Sequence, residues 1–333
     1  MRPADEVQPD SITRAAKLAL AIEVAVQVAP KCKSLIQVAR LVNEELDLDW
    51  TDAKWRGIWK DKPQERFDVE QLLGLDARAI VKAITVAGDC KFVVAGDFHV
   101  PYHDAQAIEL MCKVIKWWQP TIGIINGDLN DFPGLSSKFD PHPTRATRAQ
   151  SEVDTAKRDV LIPFGVAMGK GRKIVLPGNH DDRLEIMLWK QPDLFSLRAT
   201  SLPELWELAR FGYEYASDCV LFDDLLEVVH GNKVASEAGY SVKGELLKRH
   251  WGISVIMNHI HRRGSTSARV GDHWVYGNEN PCMCSLEPPY MKRANWSLGF
   301  TLGEKRGHNV NIIPVDIFAD YTCTVAGRWF GLN

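Results

Sequence analysis

The spacing of hydrophobic and polar positions differs between two regions of the chain. Between residue 11 and about residue 85, apolar residues recur at helical spacing, most clearly over residues 12–28 and 34–45. From residue 90 onward, short apolar runs alternate with longer amphipathic segments, starting with residues 91–95 and 104–118. The helical spacing of the first region predicts a small all-α domain. The alternation in the second region predicts a domain of alternating strands and helices.

The second region continues as a succession of predicted strands and helices. Further strands are expected at residues 121–125, 172–176, 226–229 and 253–257, with helices at 145–168, 183–189, 202–208 and 236–249. Short strands follow at residues 265–270, 273–276, 296–302 and 310–315. We therefore predict an α/β fold of mixed sheets over residues 86–333. A helical domain and a connector over residues 63–87 precede it, so that the domain boundary is expected at residues 85/86.

The N-terminal helices have the outline of a helix-turn-helix. Thr51 or Asp52 is a good N-cap for a helix that carries Lys54, Arg56 and Lys60. In a helix-turn-helix the second helix enters a DNA groove, so these cations are candidate nucleic-acid contacts. A small helical cap with a charged outer face explains the same residues, and the acidic residues nearly balance the basic ones.

Composition narrows the class of protein. The 333 residues are 45% hydrophobic and 25% charged, with a formal net charge of −3, which describes an ordinary globular protein without overall attraction to nucleic acid. The N-terminus has no apolar stretch behind a basic start, and residues 18–29 are too short and too polar to cross a bilayer. Seven cysteines without a CxxC pair predict reduced thiols. We expect a cytoplasmic protein without membrane contact.

Each apolar strand of the α/β region ends in residue types that bind metals. The carboxyl ends of strands in open α/β sheets form a ligand crevice, so these residues should gather in one place. Asp97 and His99 should leave their strand together, because side chains two apart in extended backbone point the same way. The five groups are Asp97 and His99, then Asp128 and Asp131, then Asn179 to Arg183, then His230, then His259 and His261.

These groups stand in motifs that resemble a known family. The sequences GDFH, GDLND, GNHDDR, HG and NHIH, in this order over about residues 90–316, resemble the calcineurin-like metallophosphoesterases. The resemblance implies two sheets packed face to face with helices outside, and two metal ions at the strand ends. The implied ligands are Asp97, His99 and His261 for one ion, Asn179, His230 and His259 for the other, and Asp128 as the bridge. This ligand set suits Mn²⁺, Fe or Zn²⁺ better than Ca²⁺, and we expect two divalent ions, with Mn²⁺ first among them.

The resemblance also implies roles around the ions. A water activated between two metals attacks phosphorus, so no protein nucleophile is needed. His180 is then the candidate general acid, Asp181 the group that orients or charges its imidazole, and Arg183 a fork for phosphate. Asp131 is expected to hold a ligand histidine in place. Arg145 and Arg148 lie on a loop that should border the site and are added to the nucleic-acid candidates.

Small departures from the family pattern favour one branch. Phe132 follows GDLND where the protein phosphatases carry Arg, and GNHD replaces GNHE, which is closer to the phosphodiesterases and the nucleases of double-strand-break repair. The stretch NWSLGF resembles phage and prophage phosphoesterases with a leading helical domain. The first hypothesis is therefore a phosphodiesterase acting on nucleic acid. One alternative is a phosphomonoesterase acting on nucleotides or phosphoproteins, with the N-terminal helices as a lid or a partner-binding module. Another is an inactive DNA-binding protein. The oligomeric state is left open.

Overall fold

The computed structural model divides the chain into two compact units, Met1–Ala79 and Ile80–Asn333. In the larger unit the structure describes residues 81–136, 148–288 and 294–332. In the smaller unit it describes residues 18, 20–22, 24–25, 28, 35–46, 48–51, 54–55 and 58. Each unit has its own hydrophobic core, so each is described separately.

The described residues of the smaller unit are mostly helical. Helix α1 (Leu35–Glu45) follows helical residues between 18 and 28, and further helical residues lie at 54, 55 and 58. Trp55 is 2% exposed and its indole Nε1 donates to Oδ1 of Asn43 over 3.0 Å. The apolar faces meet in one cluster of Ala21, Val24, Ala25, Val28, Val38, Ala39, Val42 and Trp55. The spacing of the apolar positions thus matches the side chains that are buried here.

Two six-stranded mixed sheets form the larger unit. The first runs from edge to edge through β12 (Asn309–Ile317), β11 (Leu298–Arg306), β2 (Cys90–Ala95), β3 (Ile122–Asn126), β4 (Arg172–Leu176) and β5 (Tyr213–Tyr215). The second runs through β1 (Ala83–Val86), β6 (Cys219–Phe222), β7 (Leu226–Val229), β8 (Ser254–Met257), β10 (His273–Glu279) and β9 (Gly264–Val270). Strands β2 to β5 are parallel, as are β7, β8 and β10, so several carboxyl ends share one edge of each sheet.

The two sheets pack face to face. Phe92 and Val94 of β2 share a buried cluster with Phe222 and Val228 of the other sheet, whereas Val93 of β2 belongs to a cluster on the opposite face. Because both faces of the central strands are covered, these strands read in sequence as continuous apolar runs. The prediction of an α/β sandwich of two mixed sheets flanked by helices is confirmed.

Helices cover the outer faces of both sheets. The helices are α2 (Ala105–Trp118), α3 (Ala149–Ala156), α4 (Ile162–Met168), α5 (Asp182–Leu188), α6 (Pro192–Phe195), α7 (Leu202–Leu205), α8 (Leu208–Phe211) and α9 (Tyr240–Lys248). Helix α2 begins where the Asp104 side chain accepts a hydrogen bond from the backbone N–H of Ala107 over 2.9 Å. A π-helical turn, Lys157–Leu161, joins α3 to α4 before Pro163, which has no N–H to donate.

Some elements differ from the sequence-based expectation. Strand β1 lies in the segment predicted as a connector, because a four-residue edge strand with alternating burial gives little hydropathy signal. Strands β5 and β6 were not expected either, whereas the hairpin of β13 (Thr322–Val325) and β14 (Arg328–Gly331) agrees with the expectation that strands run on to the sequence GRWF near the C-terminus. Strand β10 extends to Glu279 since its polar end pairs with β8. Among the described residues, no helix has both the length and the apolar character needed to cross a membrane.

Candidate metal centre

The predicted ligands gather at the carboxyl ends of five strands. The loops after β2, β3 and β4 of the first sheet meet the loops after β7 and β8 of the second. Asp97, His99, Asp128, His230 and His261 are all buried, with at most 6% of each residue exposed. Asn179 and His259 are half-buried. The sandwich therefore places residues from positions 97 to 261 in one polar pocket.

The backbone of these loops is unusual. Five of the seven candidate ligands have left-handed φ angles: Asp97 at 54°, His99 at 48°, Asp128 at 50°, His259 at 80° and His261 at 58°. Residues other than glycine rarely adopt this region, and such strain concentrates at functional sites. The expectation that Asp97 and His99 converge through extended backbone was wrong, since β2 ends at Ala95 and both residues belong to the turn after it.

Two glycines allow the loops to approach closely. A Cβ atom at Gly178 would collide with the Asp128 carboxyl group. Gly127 has φ +79°, and a Cβ atom there would meet the His230 ring. The absence of side chains at these two positions lets the carboxylate and the imidazole reach the pocket.

The first group of ligands consists of Asp97, His99, Asp128 and His261. Their ligand atoms all lie within 4.8 Å of one another. The Nε2 atoms of His99 and His261 face each other over 3.0 Å. Nε2 of His99 is 3.5 Å from Oδ2 of Asp128, and Nε2 of His261 is 3.7 Å from Oδ1 of Asp97. Two ring nitrogens and two carboxylate oxygens thus point at one small volume.

The second group shares Asp128 with the first. Asp128, His230 and His259 also offer ligand atoms within 4.8 Å of one another. Nε2 of His230 lies 3.3 Å from Oδ2 of Asp128 and 3.3 Å from Oδ1 of Asn179. The same Oδ2 atom of Asp128 therefore faces a histidine of each group.

The hydrogen bonds around the imidazoles suit metal binding. Nδ1 of His99 lies 3.0 Å from a carboxylate oxygen of Asp131, and Nδ1 of His230 lies 2.9 Å from the carbonyl oxygen of Asn126. A proton on each Nδ1 satisfies these acceptors and leaves the Nε2 lone pair directed into the pocket. Nδ1 of His261 is buried and has no hydrogen-bond partner among the residues that the structure describes. Nitrogen and oxygen donors of this kind fit divalent transition-metal ions, so the residues present fit the implied metals.

Burial and neighbouring charges shift the pKa values of several candidate ligands. Burial raises the pKa of Asp97 to about 6. Burial and the neighbouring charge of His230 lower the pKa of His259 to about 4. Burial opposes the charged form of His230 as well, but the carboxylate of Asp128 outweighs it and raises the pKa of His230 to about 10. The carboxylate of Asp128, which would hold the ions, thus favours the positively charged form of His230.

Asp131, His180 and Arg183 form a connected group beside the ligands. Nδ1 of His180 lies 2.7 Å from Oδ1 of Asp131, the oxygen that also contacts His99. Arg183 donates to the backbone carbonyl of Asp131 over 2.5 Å, and its second nitrogen lies 3.2 Å from Nε2 of His180. Arg183 was expected to face phosphate, whereas here its guanidinium contacts the backbone of one neighbour and the ring of the other.

The role expected for Asp181 was wrong. Its carboxylate does not contact the His180 imidazole but accepts hydrogen bonds from three backbone N–H groups, of Leu129, Asn130 and Gly178. Asp131 provides the contact to His180 instead. Asp181 therefore fixes the GDLND loop against the GNHDDR loop. Sequence alone did not reveal this contact, because Asp131 and His180 lie on different loops, after β3 and after β4.

A buried amide network was missed by the sequence analysis. Nδ2 of Asn258 donates to Asp97 over 3.1 Å, and Oδ1 of Asn258 accepts from Asn126 over 2.9 Å and from Asn280 over 3.2 Å. The network ties Asp97 to the ends of β3 and β8. The available signal was the position of Asn126 at the end of buried strand β3 and of Asn258 directly after buried strand β8. Trp296 was also missed, and its ring centroid lies 4.2 Å from that of His261.

The candidate nucleic-acid contacts are only partly described. Lys54 is exposed, and its Nζ atom lies 4.0 Å from the centroid of the Trp50 ring. Arg148 is exposed at the start of α3. Arg56, Lys60 and Arg145 lie outside the described residues.

A cavity of about 540 Å³ opens beside the second ligand group. Asn179 and His230 form part of its wall, as do Asp182 at the start of α5 and the end of α9. Burial, together with the charges of Glu185 and Asp128, raises the pKa of Asp182 to about 7. The remaining wall is formed mainly by charged and small residues: Ser217, Asp218, Glu227, Gly231, Asn232, Glu245, Lys248 and Arg249.

The chain is similar, at low sequence identity, to solved structures of Vps29. No protein-family model matches the sequence, and no curated protein matches it. Vps29 of Chaetomium thermophilum is similar to the chain at 11% identity with a TM-score of 0.39, covering 73% of this chain and 99% of that chain. Vps29 of Entamoeba histolytica complexed with Zn²⁺ shows 13% identity and a TM-score of 0.38, covering 69% and 93%. A single-site mutant of the latter protein shows 12% identity and a TM-score of 0.39, covering 70% and 97%.

Proposed function

We propose that the protein hydrolyses phosphate esters with the help of two divalent metal ions. The observation that carries the proposal is the position of Asp128, whose Oδ2 atom lies 3.5 Å from Nε2 of His99 and 3.3 Å from Nε2 of His230. One carboxylate oxygen thus joins two sets of ligands. Ions held there would lower the pKa of an attacking water and neutralise charge on the phosphoryl oxygens.

His180 and Arg183 then act on the substrate. Arginine can only donate, so Nε2 of His180 accepts from Arg183 in this structure while Nδ1 donates to Asp131. In the proposed reaction the guanidinium of Arg183 turns to a phosphoryl oxygen, which frees Nε2 of His180 to carry a proton to the leaving oxygen. Asp131 stabilises the protonated imidazole.

The sequence hypothesis of a nucleic-acid phosphodiesterase is kept as one substrate proposal. Its support is the resemblance of the motifs to the phosphodiesterase and nuclease branches, together with the exposed Lys54 and Arg148. Mn²⁺ is the ion proposed first, since the Asp, Asn and His donors suit it. A second candidate is the hydrolysis of a small phosphoester. It is favoured by the cavity beside Asn179 and His230, because a strand of nucleic acid does not need such a recess.

A comparison of two chromogenic esters tests these proposals. Protein reconstituted with Mn²⁺ is expected to release nitrophenolate from bis-p-nitrophenyl phosphate faster than from p-nitrophenyl phosphate if it is a diesterase. His180→Asn should keep the bound metal and lower the rate about 10²- to 10⁴-fold. Asp154→Asn is the matched control, since this carboxylate is 57% exposed on α3. Metal-loaded protein that cleaves neither ester would contradict the proposal.

A further inference from the structure

The cavity beside the metal centre has an excess of negative charge. Four carboxylates, from Asp182, Asp218, Glu227 and Glu245, line it together with two cations, Lys248 and Arg249. The space opens directly on Asn179 and His230, so a phosphoester held at the ligands would extend into it. Its volume of about 540 Å³ falls within the range of small-molecule sites.

The cations of the cavity are already paired. Arg249 contacts both carboxylate oxygens of Glu227 and lies 2.8 Å from Oε2 of Glu245. Lys248 forms an ion pair with the other oxygen of Glu245. These four groups neutralise one another and form one charged network along the end of α9 and β7. Among the described residues that line the cavity, no lysine or arginine is therefore left unpaired for a further anionic group of a substrate.

Asp182 and Asp218 differ from this network. In the part of the chain that the structure describes, neither side chain makes a hydrogen bond or an ion pair. Asp182 is half-buried at the start of α5, three residues after Asn179, and Asp218 is exposed just before β6. Two carboxylates without partners thus face the space next to the phosphate position.

We infer that the substrate is a small phosphoester whose organic part carries a protonated primary amine, which binds between Asp182 and Asp218. The inference rests on the proposed function and names its substrate class. Ions at the ligands attract the phosphate, and the unpaired carboxylates attract the ammonium group, so a zwitterion matches both ends. The described lining contains no Trp, Tyr or Phe that would favour a quaternary ammonium instead. A polyanionic strand would meet the same carboxylates with repulsion.

A pair of isosteric diesters tests the inference. The probes are 2-aminoethyl 4-nitrophenyl phosphate and propyl 4-nitrophenyl phosphate. They share the leaving group and the charge of the phosphate, and the first ends in an ammonium group where the second ends in a methyl group. The Mn²⁺-loaded protein is assayed at pH 8, because burial raises the pKa of Asp182 in the metal-free protein to about 7 and nearby bound cations favour its carboxylate form further. We expect kcat/KM for the aminoethyl ester to exceed that for the propyl ester at least about tenfold, through a charge-assisted hydrogen bond.

Three variants make the result specific. Asp182→Asn, and Asp182→Asn combined with Asp218→Asn, should bring the ratio of the two kcat/KM values toward one, mainly through KM of the aminoethyl ester. Asp193→Asn removes a carboxylate from α6 outside the cavity and should keep the ratio. The inhibition constants of phosphoethanolamine and of propyl phosphate measure the same selectivity through binding alone. They remain measurable in a variant with a low rate.

The outcomes separate the two proposals. Equal hydrolysis of both esters by the unaltered protein, or a ratio that survives the double substitution, overturns the amine site and leaves the phosphoesterase proposal standing. Metal-loaded protein that cleaves neither of these diesters but releases nitrophenolate from p-nitrophenyl phosphate overturns the amine site in a diester and leaves the phosphoesterase proposal standing. Metal-loaded protein that cleaves none of the three overturns both. Efficient cleavage of single-stranded DNA with no preference between the two small esters would favour the nucleic-acid substrate instead.

Discussion

Nδ1 of His180 donates a hydrogen bond to Oδ1 of Asp131 over 2.7 Å, in a position where the sequence suggested Asp181 as the partner. The same oxygen lies 3.0 Å from Nδ1 of His99, so one carboxylate orients a proposed acid and a proposed metal ligand. Burial opposes the charged form of Asp131, but its hydrogen bonds to His180 and His99 outweigh it and hold the pKa of its carboxyl well below the usual range. Asp131 is therefore a positioning residue for both sides of the site.

Asp131→Asn is expected to weaken metal binding and to lower the rate further than the metal loss explains. The loss of a hydrogen-bond partner to a ligand histidine costs about 10- to 100-fold in metal affinity. The rate at saturating Mn²⁺ should also fall, because an uncharged amide holds the His180 ring by a weaker hydrogen bond than the carboxylate does. Titration with Mn²⁺ and rate measurements at saturating metal check both effects. A variant with normal affinity and a normal rate at saturating metal would contradict this role.

Asp128→Asn is expected to abolish turnover and to reduce the bound metal from two ions to at most one. Oδ2 of Asp128 faces both His99 and His230, and an amide offers only one oxygen without charge. Its other oxygen, Oδ1, accepts the backbone N–H of His180 over 2.8 Å, so the turn after β4 should loosen as well. Elemental analysis of the purified protein measures the metal content. Asp154→Asn serves as the control, and two ions retained in Asp128→Asn would rule out a bridging role.

Asp181→Asn is expected to destabilise the fold rather than to change the chemistry directly. The carboxylate accepts from Leu129 over 3.1 Å, from Asn130 over 2.9 Å and from Gly178 over 2.9 Å. An amide would turn its own N–H₂ toward at least one of these donors, which costs about 1 to 3 kcal/mol in the free energy of unfolding. Urea unfolding of the chelated protein measures the loss. An unchanged midpoint would show that the three N–H groups find other acceptors.

The sequence predicted the central strands well because the sandwich buries both of their faces. Strands β2, β3, β4, β7 and β8 each contain a short apolar core, although β4 begins with Arg172 and Lys173 and β7 contains Glu227, and each strand is followed by candidate ligands. Edge strand β1 and short β5 lack this signal, since only part of each is buried. The smaller strands at the C-terminus depend on pairing partners that are distant in sequence.

The candidate site was predictable in its residue types but not in its contacts. Parallel strands with shared carboxyl ends explain why Asp97, Asp128 and His230 meet. The contact of His180 with Asp131 in place of Asp181 depends on the direction of the Asp181 side chain, which accepts from backbone N–H groups, and hydropathy does not encode that direction. The same holds for Asp182, whose place in the cavity wall follows from the direction of α5. The residue types and their spacing in the sequence indicated a metal site, whereas the contacts between individual atoms are seen only in the structure.

The metal-free protein is expected to lose stability as the pH rises from about 7.5 to about 10. Burial disfavours charge on His99, but the hydrogen bond to Asp131 and the negative charges of Asp128, Asp131 and Asp97 together outweigh it and raise the pKa of His99 to about 9. The pKa of His230 is raised to about 10. A raised folded pKa gives stability that is fully present below the unfolded value of about 6.5 and is lost as the pH passes the folded value. His259, with its lowered pKa of about 4, is neutral throughout this window. Urea midpoints of chelated protein at pH 7.5, 9 and 10 should therefore fall, and His230→Gln should fall less steeply. Because Mn²⁺ replaces these protons, saturation with the ion should flatten the decline, and a steep decline that persists in both His230→Gln and the loaded protein would place its origin elsewhere.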